Sequence, residues 1–162
     1  MAKTEKESQF TRMLEQNHAL IMRICYMYST DKEHLNDLYQ ETAINLWQGM
    51  DKFKGNSKLS TWIYRTTLNT CISYYRKNHK HQDTASLEEL MEFPDDISER
   101  TQQLKEMYRL ITQLKKLDRA IILLWLDEKS YDEIAEITGL SRNNIASRLH
   151  RIKAQLSLLA QE

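Results

Sequence analysis

Apolar residues recur every three or four positions through the first half of the chain, which predicts amphipathic helices. The first predicted helix runs from Phe10 to Tyr28 and follows residues 1–9, a polar stretch that we expect to be frayed. A capping box at Thr30-Asp31-Lys32-Glu33 predicts the start of a second helix, and Gly49 predicts its end. A third helix is predicted from Leu59 to Arg76. These three helices form the first of two groups.

The second half of the chain repeats the helical pattern after an interruption. Helix is predicted to resume near Thr101, and Asp118 is predicted to cap an almost continuously apolar helix from Arg119 to Leu126. The stretch before Thr101 contains Pro94, the only proline, and a dense run of acidic residues, so it is interpreted as a linker. We therefore predict an all-α protein with two small helical domains. The predicted boundaries are residues 1–80 for the first domain, 81–100 for the acidic linker and 101–162 for the second domain.

The stretch from Ser130 to Lys153 predicts two short helices joined by a tight turn. Ser130 and Glu133 form a capping box, in which each side chain accepts a hydrogen bond from a backbone N–H of the other residue. Gly139 can adopt the left-handed backbone conformation that ends a helix, and Ser141 can cap the next one. This arrangement is typical of a helix-turn-helix, whose second helix enters the DNA major groove.

The second helix of this motif has two contrasting faces. Ile145, Leu149, Ile152 and Leu156 fall on one side at about 100° per residue and are predicted to be buried. No acidic residue occurs between Thr138 and Gln161. A polar, cationic face is suited to phosphates and base edges, although the same pattern fits a solvated helix of an ordinary bundle. The candidate DNA contacts are Arg142, Asn143, Ser147, Arg148, His150 and Arg151.

Composition agrees with a helical protein that carries no active site. The chain has 162 residues, only three glycines and one proline, and many residues that favour helices. Cys25 and Cys71 lie among apolar residues and are interpreted as buried hydrophobic side chains, whereas His79 and His81 are expected to be solvated. We expect no cofactor, metal or enzymatic activity, because no nucleophile–base pair, metal cluster or phosphate-binding glycine loop is present. The absence of an apolar span and of a signal peptide predicts a cytoplasmic protein without membrane insertion.

The net charge is zero, but the charges are strongly segregated along the chain. Residues 52–80 contain seven Lys or Arg and no Asp or Glu, whereas residues 83–106 contain eight acids and two cations. It is the local field that attracts a polyanion. A neutral total therefore does not exclude nucleic acid as a partner.

The basic block between Lys52 and Lys80 also contains several aromatic residues. Cations can follow a phosphate backbone, and aromatic rings can stack on bases that have left the duplex. For Phe53 and Trp62, packing in the core is at least as strong an interpretation, because aromatic rings dominate helix packing. Function is favoured for the polar, grouped members of the block, which are Lys54, Asn56, Lys58, Arg65 and Asn69.

Several segments resemble conserved regions of bacterial sigma factors. The segments 37–42 (DLYQET), 53–57 (FKGNS) and 60–65 (STWIYR), with Asn69 and Tyr75-Arg76-Lys77, resemble the second conserved region. The segments 130–135 (SYDEIA) and 147–151 (SRLHR) are similar to the fourth region. A chain of this length with only these two regions resembles the extracytoplasmic-function (ECF) group.

The resemblance implies a sigma factor that brings core RNA polymerase to promoter DNA and helps to open it. Asp37, Gln40 and Glu41 would dock on the clamp helices of the largest polymerase subunit. The second helix of the helix-turn-helix, called the reading helix below, would recognise the minus-thirty-five element as duplex. The resemblance also implies a probable anti-sigma factor as a partner, and we expect the free protein to be a monomer. The minus-ten element and a flipped base of its non-template strand would be recognised by Lys54, Asn56, Ser57, Lys58, Trp62, Arg65, Asn69, Arg76 and Lys77.

The chain departs from the family pattern at three places. Ala43 stands where family members often carry phenylalanine, which affects docking or packing of the second helix. Asp118 stands where many have proline, and Asn144-Ile145-Ala146 replaces a common Thr-Val-Lys/Arg, which removes one cation and affects promoter specificity. The acidic linker is expected either to pass through polymerase channels used by RNA or to be a solvated tether. Two alternatives to a sigma factor are a free-standing helix-turn-helix regulator and a helical protein that binds only protein.

Overall fold

The computed structural model describes residues 3–55, 57–74 and 99–161, and within them the chain is helical. It forms two compact units, Met1–Asp83 and Thr84–Glu162. The predicted all-α architecture with two helical domains is confirmed. The first unit contains α1 (Lys3–Tyr28), α2 (Lys32–Gly49), a 3₁₀ turn (Met50–Lys52) and α3 (Leu59–Ser73), and the second contains α4 (Glu99–Ile111), α5 (Lys116–Leu126), α6 (Tyr131–Thr138) and α7 (Arg142–Ala160).

Some predicted features lie outside the described residues. They comprise most of the acidic linker, the aromatic Tyr75, the candidate DNA contacts Asn56, Arg76 and Lys77, and the histidines His79 and His81. Among the described helices, none combines the length and apolar character needed to cross a membrane. The described ranges also contain no group of three or more His, Cys, Asp or Glu residues placed to hold a metal ion.

Helix α1 begins seven residues earlier than predicted, so the expectation that residues 1–9 are frayed is wrong for Lys3 onwards. Long-range contacts account for the extra turns. The Lys6 ammonium lies 2.8 Å from a carboxylate oxygen of Asp51 and 4.0 Å from the centre of the Trp47 ring. Phe10 meets the same ring edge-on, with centroids 5.1 Å apart. The polar start of α1 is therefore held against the end of α2 and the 3₁₀ turn.

The cap of α2 is Asp31, one residue after the predicted Thr30. A carboxylate oxygen of Asp31 accepts a hydrogen bond from the His34 backbone N–H at 2.7 Å. The Thr30 backbone N–H donates to Nδ1 of His34 at 3.1 Å, so histidine serves where the capping box predicted glutamate. A charged acceptor at this position is also favoured by the helix dipole. The predicted end of α2 at Gly49 is confirmed, whereas α3 ends at Ser73, three residues before the predicted Arg76.

The core of the first unit lies between its three helices. Cys25 of α1 and Cys71 of α3 are buried free thiols, as their apolar surroundings in the sequence predicted. Their sulfur atoms are 3.8 Å apart. The Cys71 thiol donates a hydrogen bond to Cys25, and this bond together with burial raises the pKa of Cys71. Other fully buried side chains of this core are Ile21, Met27, Leu38, Leu46 and Ile63.

The second unit packs α5, α6 and α7 around an aliphatic core. Helix α5 begins at Lys116 after Lys115, and Asp118 is in its first turn, so the prediction that Asp118 caps this helix is wrong. The Asp118 carboxylate instead pairs with Arg148 of α7 at 3.2 Å. Arg119 donates hydrogen bonds to the carbonyls of Thr112 and Leu114, at 2.7 and 3.0 Å. These bonds satisfy acceptors just beyond the end of α4.

The local signals of the helix-turn-helix are confirmed in detail. Ser130 Oγ accepts from the Glu133 backbone N–H at 3.1 Å, and a Glu133 carboxylate oxygen accepts from the Ser130 N–H at 3.2 Å. Gly139 has a φ of 81°, the left-handed conformation that ends α6. Ser141 Oγ accepts from the Asn144 backbone N–H at 3.1 Å and begins α7. These bonds fix how α7 leaves the turn.

Candidate nucleic-acid and protein interfaces

Helix α7 presents one face to the core and the opposite face to solvent, as its sequence predicted. Ile145, Leu149 and Ile152 are at most 1% exposed, whereas Leu156 is only partly buried. The exposed face carries Asn143, Ser147, His150 and Arg151. These side chains offer both hydrogen-bond donors and acceptors along a surface without acidic residues. The face has the composition of a helix that reads a DNA groove.

Three cationic side chains of α7 are engaged within the second unit. Arg142 pairs with Asp132 of α6, and Arg148 pairs with Asp118 of α5. Nε of Arg148 also donates to the Asn144 side-chain oxygen at 3.0 Å. The Lys153 ammonium lies 4.0 Å from the centre of the Trp125 ring. These contacts bring together residues that are distant in sequence, and the sequence analysis did not predict them.

The aromatic residues of the α2–α3 connection pack on one another. The rings of Phe53 and Trp62 stack with centroids 5.1 Å apart and an angle of 26° between their planes. A Cβ atom placed on Gly49 would lie 3.2 Å from the Trp62 ring, so this glycine permits the close approach of α2. Both rings also line an open cleft of about 510 Å³ beside Met13 and Leu59. Trp62 is therefore partly a packing residue and partly accessible.

The polar residues around these rings remain accessible. Gly55 has a φ of 75°, which turns the connection between α2 and α3. Lys54 and Lys58 are exposed on either side of this turn, and Ser57 is half-buried. On α3, Asn69 is exposed and Arg65 is half-buried. The described members of the predicted minus-ten set thus lie in this connection and on the following helix.

The three residues predicted to dock on polymerase lie on one face of α2. Gln40 is exposed, and Asp37 and Glu41 are half-buried. The structure adds Ile44, which is 47% exposed and follows Gln40 and Glu41 by four and three residues, the spacing of one helix face. Ile44 therefore adds exposed apolar area to the helix face that carries the three polar side chains. The sequence contained this signal in the helical spacing, but Ile44 was not singled out.

Two protein-family models match successive parts of the chain. The model described as Sigma-70 region 2 matches residues 13–81, and the model described as Sigma-70, region 4 matches residues 104–156. The first match contains the α2 face and the α2–α3 connection. The second contains the helix-turn-helix.

Curated proteins from Bacillus subtilis are similar over most of the chain. RNA polymerase sigma factor YlaC is 27% identical over 151 residues, which cover 89% of this chain and 87% of that protein. ECF RNA polymerase sigma factor SigW is 28% identical, with 81% of this chain and 78% of that protein covered.

Two solved structures share the fold at lower sequence identity. CnrH, solved in complex with the cytosolic domain of CnrY, superposes with a TM-score of 0.69 over 96% of this chain and 89% of that chain, at 19% identity. The sigma factor RpoE from Bartonella quintana, solved in complex with the anti-sigma factor NepR, gives a TM-score of 0.68 over 94% and 97%, at 18% identity.

Proposed function

The chain belongs to the sigma-70 family of RNA polymerase sigma factors, within the ECF group, and from this premise we propose a division of labour between its two units. The predicted domain of residues 1–80, within the first unit, docks on core polymerase and recognises the minus-ten element as opened strand. The predicted domain of residues 101–162, within the second unit, recognises the minus-thirty-five element as duplex. The observation that carries the proposal is the exposed, acid-free face of α7 on a fully capped helix-turn-helix.

The proposed polymerase contact is the α2 face formed by Asp37, Gln40, Glu41 and Ile44. Two carboxylates and an amide provide directional contacts to cationic or amide groups of a partner helix. Ile44 adds apolar area that loses contact with water on docking, which stabilises an interface. Ala43 lies beside Ile44 and leaves more space than the phenylalanine that relatives often carry.

The proposed minus-ten surface is the α2–α3 connection together with the exposed side of α3. Lys54 and Lys58 would contact phosphates, and Asn69 would hydrogen-bond the edge of a flipped base. The half-buried, stacked rings of Phe53 and Trp62 offer an apolar contact to that base. Opening a duplex costs a few kcal/mol per base, and such contacts offset this cost. The remaining proposed members are Asn56, Ser57, Arg65, Arg76 and Lys77.

The proposed minus-thirty-five surface is the exposed face of α7. Arg151 and His150 can contact phosphates or base edges, and Asn143 can pair with adenine. Ser147 adds a hydroxyl that can donate or accept. Arg142 contacts DNA after leaving Asp132. Arg148 is retained at the edge, where its contacts with Asp118 and Asn144 leave it a supporting role.

We infer the partners from the proposed role. Core RNA polymerase and promoter DNA are required by it, and the cytoplasm is the compartment in which both occur. We propose an anti-sigma factor as a further partner, because CnrH and RpoE, which share the fold, were each solved with another protein bound. The free chain is proposed to be a monomer that performs no covalent chemistry.

Run-off transcription with purified core polymerase tests the proposal. The full chain is added to core enzyme and a library of promoters, each linked to a transcribed barcode, and the barcodes of the transcripts are sequenced to recover the preferred elements. We expect transcription that depends on the chain and on two short elements about two to three helical turns apart, so that each unit meets one. Transcription that ignores the upstream element would contradict the proposed division.

A further inference from the structure

The cations of α7 differ in how firmly each is held. Nη1 of Arg142 lies 3.2 and 3.1 Å from the two carboxylate oxygens of Asp132, and the two side chains are 64% and 72% exposed. The Arg148–Asp118 pair is only 29% and 23% exposed and is reinforced by Asn144. Within residues 99–161, no carboxylate lies within ion-pair distance of Arg151. Arg151 is therefore free of ion pairs within residues 99–161, and Arg148 is held in a half-buried pair. Arg142 is held in an exposed pair that another anion can replace.

The Arg142–Asp132 pair joins the first turns of α6 and α7, which are the two helices of the helix-turn-helix. An ion pair this exposed contributes little to folding, because water and salt screen both charges. It is therefore open to competition by another anion. A DNA phosphate is such an anion, and it would approach the same end of α7.

Contact between Arg142 and a phosphate has a consequence for Asp132. Once Arg142 contacts the DNA, the Asp132 carboxylate has lost its ion-pair partner. It then lies near the DNA phosphates, which carry the same negative charge. Repulsion by the phosphates, and the cation that Asp132 then attracts from solution, both reduce the free energy gained from the new contact. Part of the charge on the reading helix is thus cancelled before DNA arrives.

We propose that Asp132 is an electrostatic brake that weakens binding of duplex DNA by competing with phosphates for Arg142. This rests on the proposed function of α7 as the reader of the minus-thirty-five element. The brake lowers the affinity of the free chain for any duplex, because a phosphate contact carries no sequence information. Within the polymerase complex, the tether to the docked first unit raises the effective concentration of the second unit and compensates for that loss.

The test is the variant Asp132→Asn, which keeps the size of the side chain and removes its charge. Binding of the full chain to a labelled minus-thirty-five duplex and to a scrambled duplex is measured over a series of salt concentrations. We expect both duplexes to bind about three- to tenfold more tightly at low salt, and the slope of log K against log salt to steepen by about 0.9. If binding by the free chain is too weak to measure, footprinting of the upstream element by the variant in complex with core polymerase gives the same comparison.

Two controls separate the brake from a general charge effect. Glu128→Gln removes one exposed carboxylate from the turn before α6, and we expect it to change the affinity and the salt slope much less. Asp132→Asn is also measured in an Arg142→Gln background, where its gain should largely disappear because the competition no longer exists. An equal gain in both backgrounds would overturn the proposal.

Other results would overturn it as well. Unchanged DNA binding by Asp132→Asn with a lowered melting temperature would mean that the pair only stabilises the turn. Loss of affinity confined to the minus-thirty-five duplex would mean that Asp132 itself reads a base, since aspartate can accept a hydrogen bond from cytosine. Run-off transcription by the unmodified chain is independent of these comparisons, so its failure would count against the proposed function instead.

Discussion

Arg151 and Arg142 lie on the same helix and carry the same charge, yet their surroundings give them different roles. Arg151 is exposed on the face opposite the buried Ile145 and Leu149, whereas Arg142 already faces the carboxylate of Asp132. Arg151 can contact DNA without first breaking an ion pair, whereas Arg142 must give up Asp132. At the scale of single residues, Arg151 is therefore expected to contribute more to duplex affinity than Arg142.

Replacement of Arg151 by alanine tests this ranking. We expect Arg151→Ala to weaken binding to a minus-thirty-five duplex by about 1–3 kcal/mol, because one phosphate or base contact is lost. Binding is measured by fluorescence anisotropy and footprinting on a cognate promoter. Ser157→Ala, at an exposed and uncharged position of the same helix, is the matched control and should bind as the unmodified chain does. Equal footprints for the two variants would remove Arg151 from the reading face.

The residues that were predicted correctly are those whose signals are local. The Ser130–Glu133 box, the left-handed Gly139 and the Ser141 cap each depend on neighbours within three or four positions. The prediction for Asp118 was wrong because its partner, Arg148, lies 30 residues away. A carboxylate near a predicted helix start has two uses, as a cap or as an ion-pair partner. Only the packing of α5 against α7 decides between them.

At the scale of elements, two kinds of contact place the helices that carry the proposed interfaces. In the second unit, Asp118 and Asn144 hold Arg148 and so tie the reading helix to α5. In the first unit, α2 packs with Leu38 and Leu46 in the core and leaves the Glu41–Ile44 side accessible. The start of α1 was mispredicted for a related reason, since Lys6 and Phe10 gain their stabilisation from Trp47 in α2. Helical periodicity alone does not predict contacts between residues that are far apart in the sequence.

Removal of the Asp118 carboxylate is expected to destabilise the second unit. Asp118→Ala leaves Arg148 without its ion-pair partner in a site where both side chains are less than a third exposed, at a cost of about 1–2 kcal/mol in the free energy of unfolding. Thermal or urea unfolding followed by circular dichroism measures the change. Asp132→Asn is the control, because its pair is largely exposed and its loss should change stability by no more than about 0.5 kcal/mol. If the two variants unfold alike, the Asp118–Arg148 pair does not secure α7.

Reversal of one charge on α2 is expected to weaken docking on core polymerase. Glu41→Lys places a cation on the proposed docking face, beside Gln40 and Ile44, while the fold is retained because the side chain is outside the core. The affinity for purified core polymerase is measured by anisotropy or native gel, with circular dichroism as a check on folding. Glu15→Lys makes the same charge change at an exposed position of α1 and should leave the affinity unchanged. Equal affinities for Glu41→Lys and the unmodified chain would exclude this face.

At the scale of the whole molecule, the two units carry surfaces of different chemistry. One combines aromatic rings with exposed lysines and asparagine around the α2–α3 connection, and the other carries the acid-free face of α7. Stacking suits bases that have left the duplex, whereas a reading helix requires an intact groove. The segregation of charge along the sequence already indicated that a chain of zero net charge can have nucleic acid as a partner. The exposure of Ile44 and the paired state of Arg142 and Arg148 were found only in the folded structure.

The most direct test of this division compares Asn69→Ala with Arg151→Ala in complexes of the chain, core polymerase and one cognate promoter. Permanganate reactivity of unpaired thymines reports opening, and protection of the upstream element reports duplex binding, in the same samples. We predict that Asn69→Ala reduces opening and retains upstream protection, because only the contact to the flipped base is lost. Arg151→Ala should reduce upstream protection first. Equal loss of both signals in both variants would contradict the assignment of opened strand to one unit and duplex to the other.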